Sequence, residues 1–187
     1  MKYPVETLNP SEVRALISKC NPRCATGLRN RALIVVLWRA GLRISEALAL
    51  ESRDISGSVI RVRHGKGDKS RVVALDDEAS AVLNIWVKHK VTLGIGGPIF
   101  STYTGRAVLP SYVRDLMQRL RGKAGIEKRV HAHGLRHTFA SELAEEKVDI
   151  RIIQRALGHG NLDTTARYID HLRPTAVIDA LQSRTWA

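Results

Sequence analysis

Between Val59 and Leu75 the apolar spacing of this chain changes from a helical period to a strand period, and helical spacing resumes beyond. Val59-Ile60-Arg61-Val62-Arg63 and Arg71-Val72-Val73-Ala74-Leu75 are rich in β-branched residues and are joined by HGKGDKS, a glycine-rich turn. That is the pattern of two strands meeting in a hairpin. One such pair among helical segments makes the fold mainly α with a small antiparallel β-sheet, an α+β domain.

The helical segments can be placed from their caps and breakers. Asn9-Pro10-Ser11-Glu12 reads as a helix start, with Asn9 as cap, Pro10 in the first turn and Glu12 at the capping-box position. That helix turns Val13, Leu16 and Ile17 inward and stops before Asn21-Pro22. A second helix, Arg29 to Ala40, is apolar over Ala32 to Trp38, which predicts burial on most sides. Gly41 breaks it, and ISEALAL resumes with Ser45 as a plausible cap. Further helices are expected over Ser80–Lys90, Ser111–Ala124, Leu135–Glu146, Ile150–Leu157, Leu162–Asp170 and Pro174–Gln182. Trp38 and Trp86 fall in apolar helices and are expected in the core. A length of 187 residues suits one domain, read as 1–187, with a linker-like start over 1–8 and a tail over 172–187.

Composition then narrows the function. Lys and Arg total 30 against 18 Asp and Glu, a formal net charge of +12, spread along the chain rather than confined to a tail. Such an excess attracts polyanions and supplies salt-sensitive phosphate contacts, so nucleic acid is the expected partner. Hydrophobic residues at 44% exclude disorder. No apolar run approaches the ~18 residues of a membrane span, and MKYPVETLNP has no apolar signal stretch, so a cytoplasmic protein, nucleoid-associated when on DNA, is expected. Aromatic residues at 5% give no stacking platform for single-stranded RNA. The two cysteines, Cys20 and Cys24, have no second Cys or His pair at finger spacing, so neither zinc nor a disulfide framework is expected.

Four short segments carry the chemistry: GLRISEAL around Arg43, HGKGDKSR around Lys66, HGLRHTFAS around His133 and Arg136, and LGHGNLDTTARY ending in Tyr168. A phosphodiester already bears one negative charge, and attack on it builds a second on the phosphorane. Arginines suit that charge, because a guanidinium presents paired planar donors and stays protonated. Arg43 and Arg136 are the candidates. His133 lies three residues before Arg136, so both can present on one helix face. His159 sits in a Gly-flanked turn where backbone can approach a strand closely and the ring could donate to the same phosphate. Each has a plainer reading: Arg43 as a surface partner of Glu46, Lys66 as a solvated turn lysine replaceable by Lys69, Tyr168 as a half-buried helix residue. His64, His89, His131, His137 and His171 read as surface or packing residues.

In their order and separations the four segments resemble the active-site signature of the tyrosine recombinase (phage integrase) family, over almost the whole chain from Leu8 to Tyr168. The resemblance implies that family's catalytic-domain fold and a site-specific recombinase or integrase working through a 3′-phosphotyrosyl intermediate. It implies Tyr168 as nucleophile, His133 as its base, Lys66 as the acid protonating the leaving 5′-oxygen, and Arg43, Arg136 and His159 on the phosphate. Glu46 matches an acidic position of the family and holds an arginine by ion pairing. A tyrosine hydroxyl has a reference pKa of about 10, so nearby positive charge and a base are required to activate it. The phosphotyrosyl ester conserves the energy of the broken bond, so no cofactor, ATP or metal is expected.

The implied partner is double-stranded DNA at a specific site, bound as a homotetramer that is weakly associated or monomeric without DNA, with accessory DNA-bending proteins possible. The tail would dock on a neighbouring subunit or fold back on its own core. Lys69, Arg71, Arg114, Arg119 and Arg121 are candidate DNA contacts. Most members of the family carry an amino-terminal core-binding domain, and none is expected here, so the chain is either a piece of a longer protein or an unusually small recombinase. Two alternatives stay open: a type IB topoisomerase, with related chemistry, and a non-catalytic DNA-binding module of the same fold.

Overall fold

The structure, a computed structural model, describes residues 7–63 and 70–158. Lys66, Lys69, His159, Tyr168, His64, His171, the tail and the two helices expected after residue 160 lie outside the described residues.

Seven helices and one three-stranded sheet make up the described chain, in the order α1 (Pro10–Ser18), α2 (Ala25–Arg39), α3 (Ile44–Leu48), β1 (Ile55–Ser56), β2 (Val59–Val62), β3 (Arg71–Ala74), α4 (Asp77–Thr92), α5 (Pro110–Ala124), α6 (Ala132–Glu145) and α7 (Ile150–Leu157). The capping box of α1 forms as expected: the Asn9 side chain accepts from the Glu12 N–H at 2.8 Å and Glu12 accepts from the Asn9 N–H at 2.7 Å. Helix α2 begins four residues earlier than expected, at Ala25. Its cap, Cys24, makes no side-chain hydrogen bond, so no Ser, Thr, Asp or Asn marks the start. Every residue from Ala32 to Trp38 is buried, and α4 and α6 pack against this helix.

The cap of α3 is Arg43 rather than Ser45. The Glu46 carboxylate reaches back to accept from the Arg43 N–H at 2.8 Å, replacing a capping side chain at the first position. Helices α4 and α6 each begin three residues before the expected start. Asp76 caps α4 by accepting from the Ala79 N–H at 2.9 Å. His131 caps α6, its Nδ1 accepting from the Gly134 N–H at 2.7 Å, so it is neither a surface nor a simple packing residue. Helix α7 has the expected bounds, with Asp149 as cap and Gly158 at φ +63° ending it.

The sheet is antiparallel in the order β1-β2-β3, with Ile60 opposite Val73 and Val62 opposite Arg71. Ile60, Val62 and Val73 point into the core and Val59, Arg61 and Val72 point out, the alternation of a half-buried sheet. Strand β1 was not expected, because two residues before the Gly57 turn are too short to show a period. Between α4 and α5, the buried Lys90 ammonium donates to the carbonyls of Ile95, Gly96 and Gly97 at 2.6, 2.8 and 3.2 Å. That single cation holds three successive carbonyls of the LGIGGP stretch.

One large apolar core runs from Leu8 to Leu135 and contains Trp38 and Trp86. A second, smaller cluster of Ala140, Ala144, Ile153 and Leu157 joins α6 to α7. Among the described residues no helix is long and apolar enough to cross a membrane.

Gly41 follows α2 at φ +58°, where a Cβ would stand 2.3 Å from Cδ1 of Phe139 on α6. Gly41→Ala is expected to cost at least the ~1–3 kcal/mol of a non-glycine residue held at positive φ, with the clash in addition. A urea melt of the two proteins measures it.

Candidate active site

The turn between α2 and α3 brings Arg43 to the start of one helix and Glu46 to its first turn. Glu46 is the hub of the site. Its Oε1 accepts from Nη1 of Arg43 at 2.8 Å and from Nη1 of Arg71 at 2.9 Å. Its Oε2 accepts from Nη2 of Arg71 at 2.7 Å and lies 4.0 Å from Nη1 of Arg136. The Glu46 side chain is only 2% exposed. Burial alone would raise its carboxyl, but the hydrogen bonds from Arg71 and Arg43 and the charge of Arg71 bring it down to about 2.

The same three arginines converge on the end of α7. Arg71 Nε donates to the Ala156 carbonyl at 2.8 Å, Arg136 Nη2 to the Leu157 carbonyl at 2.5 Å, and Arg43 Nη2 to the Gly158 carbonyl at 3.3 Å. These are successive carbonyls of a helix C-terminus, left without partners inside the helix and at the negative end of its dipole. Arg136 Nη1 also donates to the Gly41 carbonyl at 2.6 Å, so the glycine that ends α2 helps fix this guanidinium. Burial, with the neighbouring Arg43 and Arg71, pushes Arg136 down to about 9 against the pull of Glu46, which leaves it charged at neutral pH. Three guanidiniums meet one carboxylate here, leaving an excess of positive charge suited to a phosphorane.

His133 stands in the first turn of α6, one turn before Arg136, and its ring meets the edge of His137 with centroids 4.2 Å apart. Partial burial and the charges of Arg136, His131 and Arg43 hold its pKa below the ordinary imidazole value. It is therefore neutral at physiological pH and able to accept a proton.

The structure thus brings together Arg43, Glu46, Arg136 and, beside them, His133. Arg71 joins them in a role the sequence reading did not assign. Read there as a DNA contact, it is 9% exposed and spends its guanidinium on Glu46 and Ala156. Nothing in the sequence pairs a strand arginine with a carboxylate 25 positions earlier, so the signal lay only in the fold. Arg121 donates to the Ile126 and Glu127 carbonyls at 3.1 and 2.5 Å, closing the end of α5. Arg114 and Arg119 lie on exposed positions of α5, Arg114 3.7 Å from Asp115 and Arg119 over the Tyr112 ring. Cys20 is buried, its thiol pushed up to about 11 by desolvation, and Cys24 is exposed, both as free thiols. Among the described residues no group of three His, Cys, Asp or Glu side chains is placed to hold a metal ion.

A mainly helical domain with this arginine–carboxylate cluster has close counterparts among known proteins. The phage integrase family model matches residues 6–173. Tyrosine recombinase XerC 2 of Ralstonia nicotianae is 36% identical over 186 residues, which are 95% of this chain and 53% of that protein. The crystal structure of XerA recombinase superimposes with a TM-score of 0.82 at 29% identity, covering 97% of this chain and 66% of that one. XerH site-specific recombinase bound to palindromic difH substrate, in a post-cleavage complex, gives 0.78 at 27% identity, over 96% of this chain and 53% of that one. The chain belongs to the phage integrase family of tyrosine recombinases and has the family's catalytic-domain fold. It spans about half the length of the curated relatives it matches.

Proposed function

We propose that this chain is the catalytic portion of a site-specific DNA recombinase that cuts and rejoins strands through Tyr168. The observation that carries the reading is the convergence of Arg43 and Arg136 on one place: both donate to the end of α7, Arg43 bonds Glu46, and Arg136 stands 4.0 Å from the same carboxylate. Guanidiniums fixed in this way face the non-bridging oxygens of a scissile phosphate and need no reorganisation as charge builds there. His133, neutral beside them, takes the proton of the Tyr168 hydroxyl. The tyrosyl oxygen bonds to phosphorus, the bond to the 5′-oxygen breaks, and Lys66 gives that oxygen its proton. His159 donates to the same phosphate. The products are a 3′-phosphotyrosyl ester and a free 5′-hydroxyl, and attack by a 5′-hydroxyl of another strand reverses the step.

Exchange between two duplexes breaks four strands, each needing its own tyrosine, so the same proposal includes a homotetramer on DNA, with residues 172–187 as the linking segment. The exposed Arg114 and Arg119 of α5, with Arg121 at its end and the hairpin residue Lys69, are the candidates for DNA contact. The test is covalent trapping on a pool of nicked suicide duplexes with randomised half-sites. The expected result is a denaturation-resistant adduct whose nucleotide maps, after proteolysis, to the peptide containing Tyr168, with a free 5′-hydroxyl on the released strand. DNA binding without an adduct, or an adduct on another residue, overturns the reading.

A further inference from the structure

Among the described residues Arg71 differs from the other two arginines of the cluster in having a protein partner on all three guanidinium nitrogens, where Arg43 and Arg136 have partners on their Nη atoms. Both Nη atoms are bound to the two oxygens of Glu46, a forked pair at 2.9 and 2.7 Å, and Nε is bound to the Ala156 carbonyl at 2.8 Å. Arg43, by contrast, is 27% exposed and holds the Gly158 carbonyl only at 3.3 Å. We infer that Arg71 is a positioning residue, tying the Glu46 carboxylate to the last turn of α7 so that Arg43 and Arg136 keep facing one phosphate. The inference rests on the recombinase reading above and assigns to it a residue that never touches DNA.

The surroundings of Arg71 fit a fixed strut. Its backbone is set by the sheet, opposite Val62 in β2, and it directly follows the hairpin turn that carries Lys66. Gly158 makes room for it: a Cβ at that glycine would stand 3.0 Å from Arg71 Nη1. Without Arg71, the cations left facing Glu46 among the described residues are Arg43 and Arg136, and the latter is 4.0 Å away. The carboxylate then draws both guanidiniums toward itself and away from the phosphate. The charged groups facing Glu46 are Arg43 before α3, Arg71 on β3 and Arg136 on α6. Asp54 with Arg61 and Arg63, and Glu51 with Arg53, line the same depression, and Arg155 lies on α7.

The experiment compares the parent chain with Arg71→Ala and Arg71→Lys in the trapping assay, with DNA affinity measured separately. Both variants are expected to bind DNA as the parent does and to cleave, at saturating DNA, about 100-fold more slowly, the usual cost of misplaced reacting groups. In Arg71→Ala the carbon-13 titration of the Glu46 carboxyl moves to higher pH, because Glu46 has lost its forked partner. Arg71→Lys restores the charge but not the fork, and brings the titration part of the way back without recovering the rate. Weakened affinity with an unchanged rate at saturation makes Arg71 a DNA contact and overturns the inference. A slow rate with an unshifted Glu46 titration makes the residue merely structural and overturns it as well. A carbon-13 titration of the Glu46 carboxyl separates this inference from the reading it rests on. If the parent forms no adduct, a titration unchanged by Arg71→Ala overturns the tie, and a raised one upholds it while the recombinase reading falls.

Discussion

Replacing Arg136 by methionine is expected to slow strand cleavage by about 100- to 1000-fold while leaving the melting temperature close to that of the parent. The side chain is 3% exposed, and burial, with the like charges of Arg43 and Arg71, brings its pKa down to about 9. A cation whose folded pKa lies below its unfolded value is a burden on stability at every pH below the folded pKa. That burden is relieved only as pH rises from about 9 toward the ordinary arginine value, so at neutral pH it is fully present. Methionine fills a similar volume without the charge, and Glu46, 4.0 Å from Arg136, keeps its nearer partners Arg43 and Arg71 at 2.8 and 2.7 Å, so no buried carboxylate is left unpaired. Set against this, the carbonyls of Gly41 and Leu157 lose a donor, at about 1–3 kcal/mol for each buried group left unpaired. The two effects oppose each other, while the rate has nothing to offset the lost donors. Thermal melts and single-turnover cleavage are the measurements, and retained cleavage beside a collapsed melt contradicts the expectation.

Glu46→Ala is expected to fail in the opposite order, by destabilising the fold first. It removes the carboxylate shared by three guanidiniums, and breaking a buried pair from one side costs about 3–5 kcal/mol. Titration leads to a similar size. A carboxyl held at about 2 instead of its ordinary 4.5 contributes on the order of 3 kcal/mol, fully present above pH 4.5 and lost as pH falls toward 2. The parent should therefore lose stability steeply across that window. The variant should start lower and change less there, as read by urea melts at a series of pH values. A variant as stable as the parent at pH 7 would mean that the arginines find other partners.

The parts of this molecule that were legible in the sequence are those governed by local rules. The capping box at Asn9, the hairpin pattern after Val59 and the full run of α7 each rest on residues within a few positions of one another. Three helix starts failed where an unusual group did the capping: the carboxylate of Glu46 for α3, the imidazole of His131 for α6, and no side chain at all for α2. The start of α4 was missed although its cap, Asp76, is an ordinary one. At the site, Arg43, Arg136 and Glu46 were legible because their segments carry a family pattern. Arg71 was legible only as a basic residue near a turn, since its carboxylate partner comes from α3 and its carbonyl partner from α7. The carbonyls themselves leave no mark, because every residue has one.

That last point bears on how freely the chain can vary. The three guanidiniums of the site are anchored at residues 156, 157 and 158 through backbone oxygens, which survive almost any substitution. Ala156 can drift without unhooking Arg71, and Leu157 answers to the small apolar cluster it fills rather than to Arg136. Gly158 alone is held by its neighbour as well as by its own positive φ, since any side chain there presses on Arg71. Mutational tolerance along this turn should be graded accordingly, widest at 156 and narrowest at 158, although each of the three residues offers the site the same chemical group.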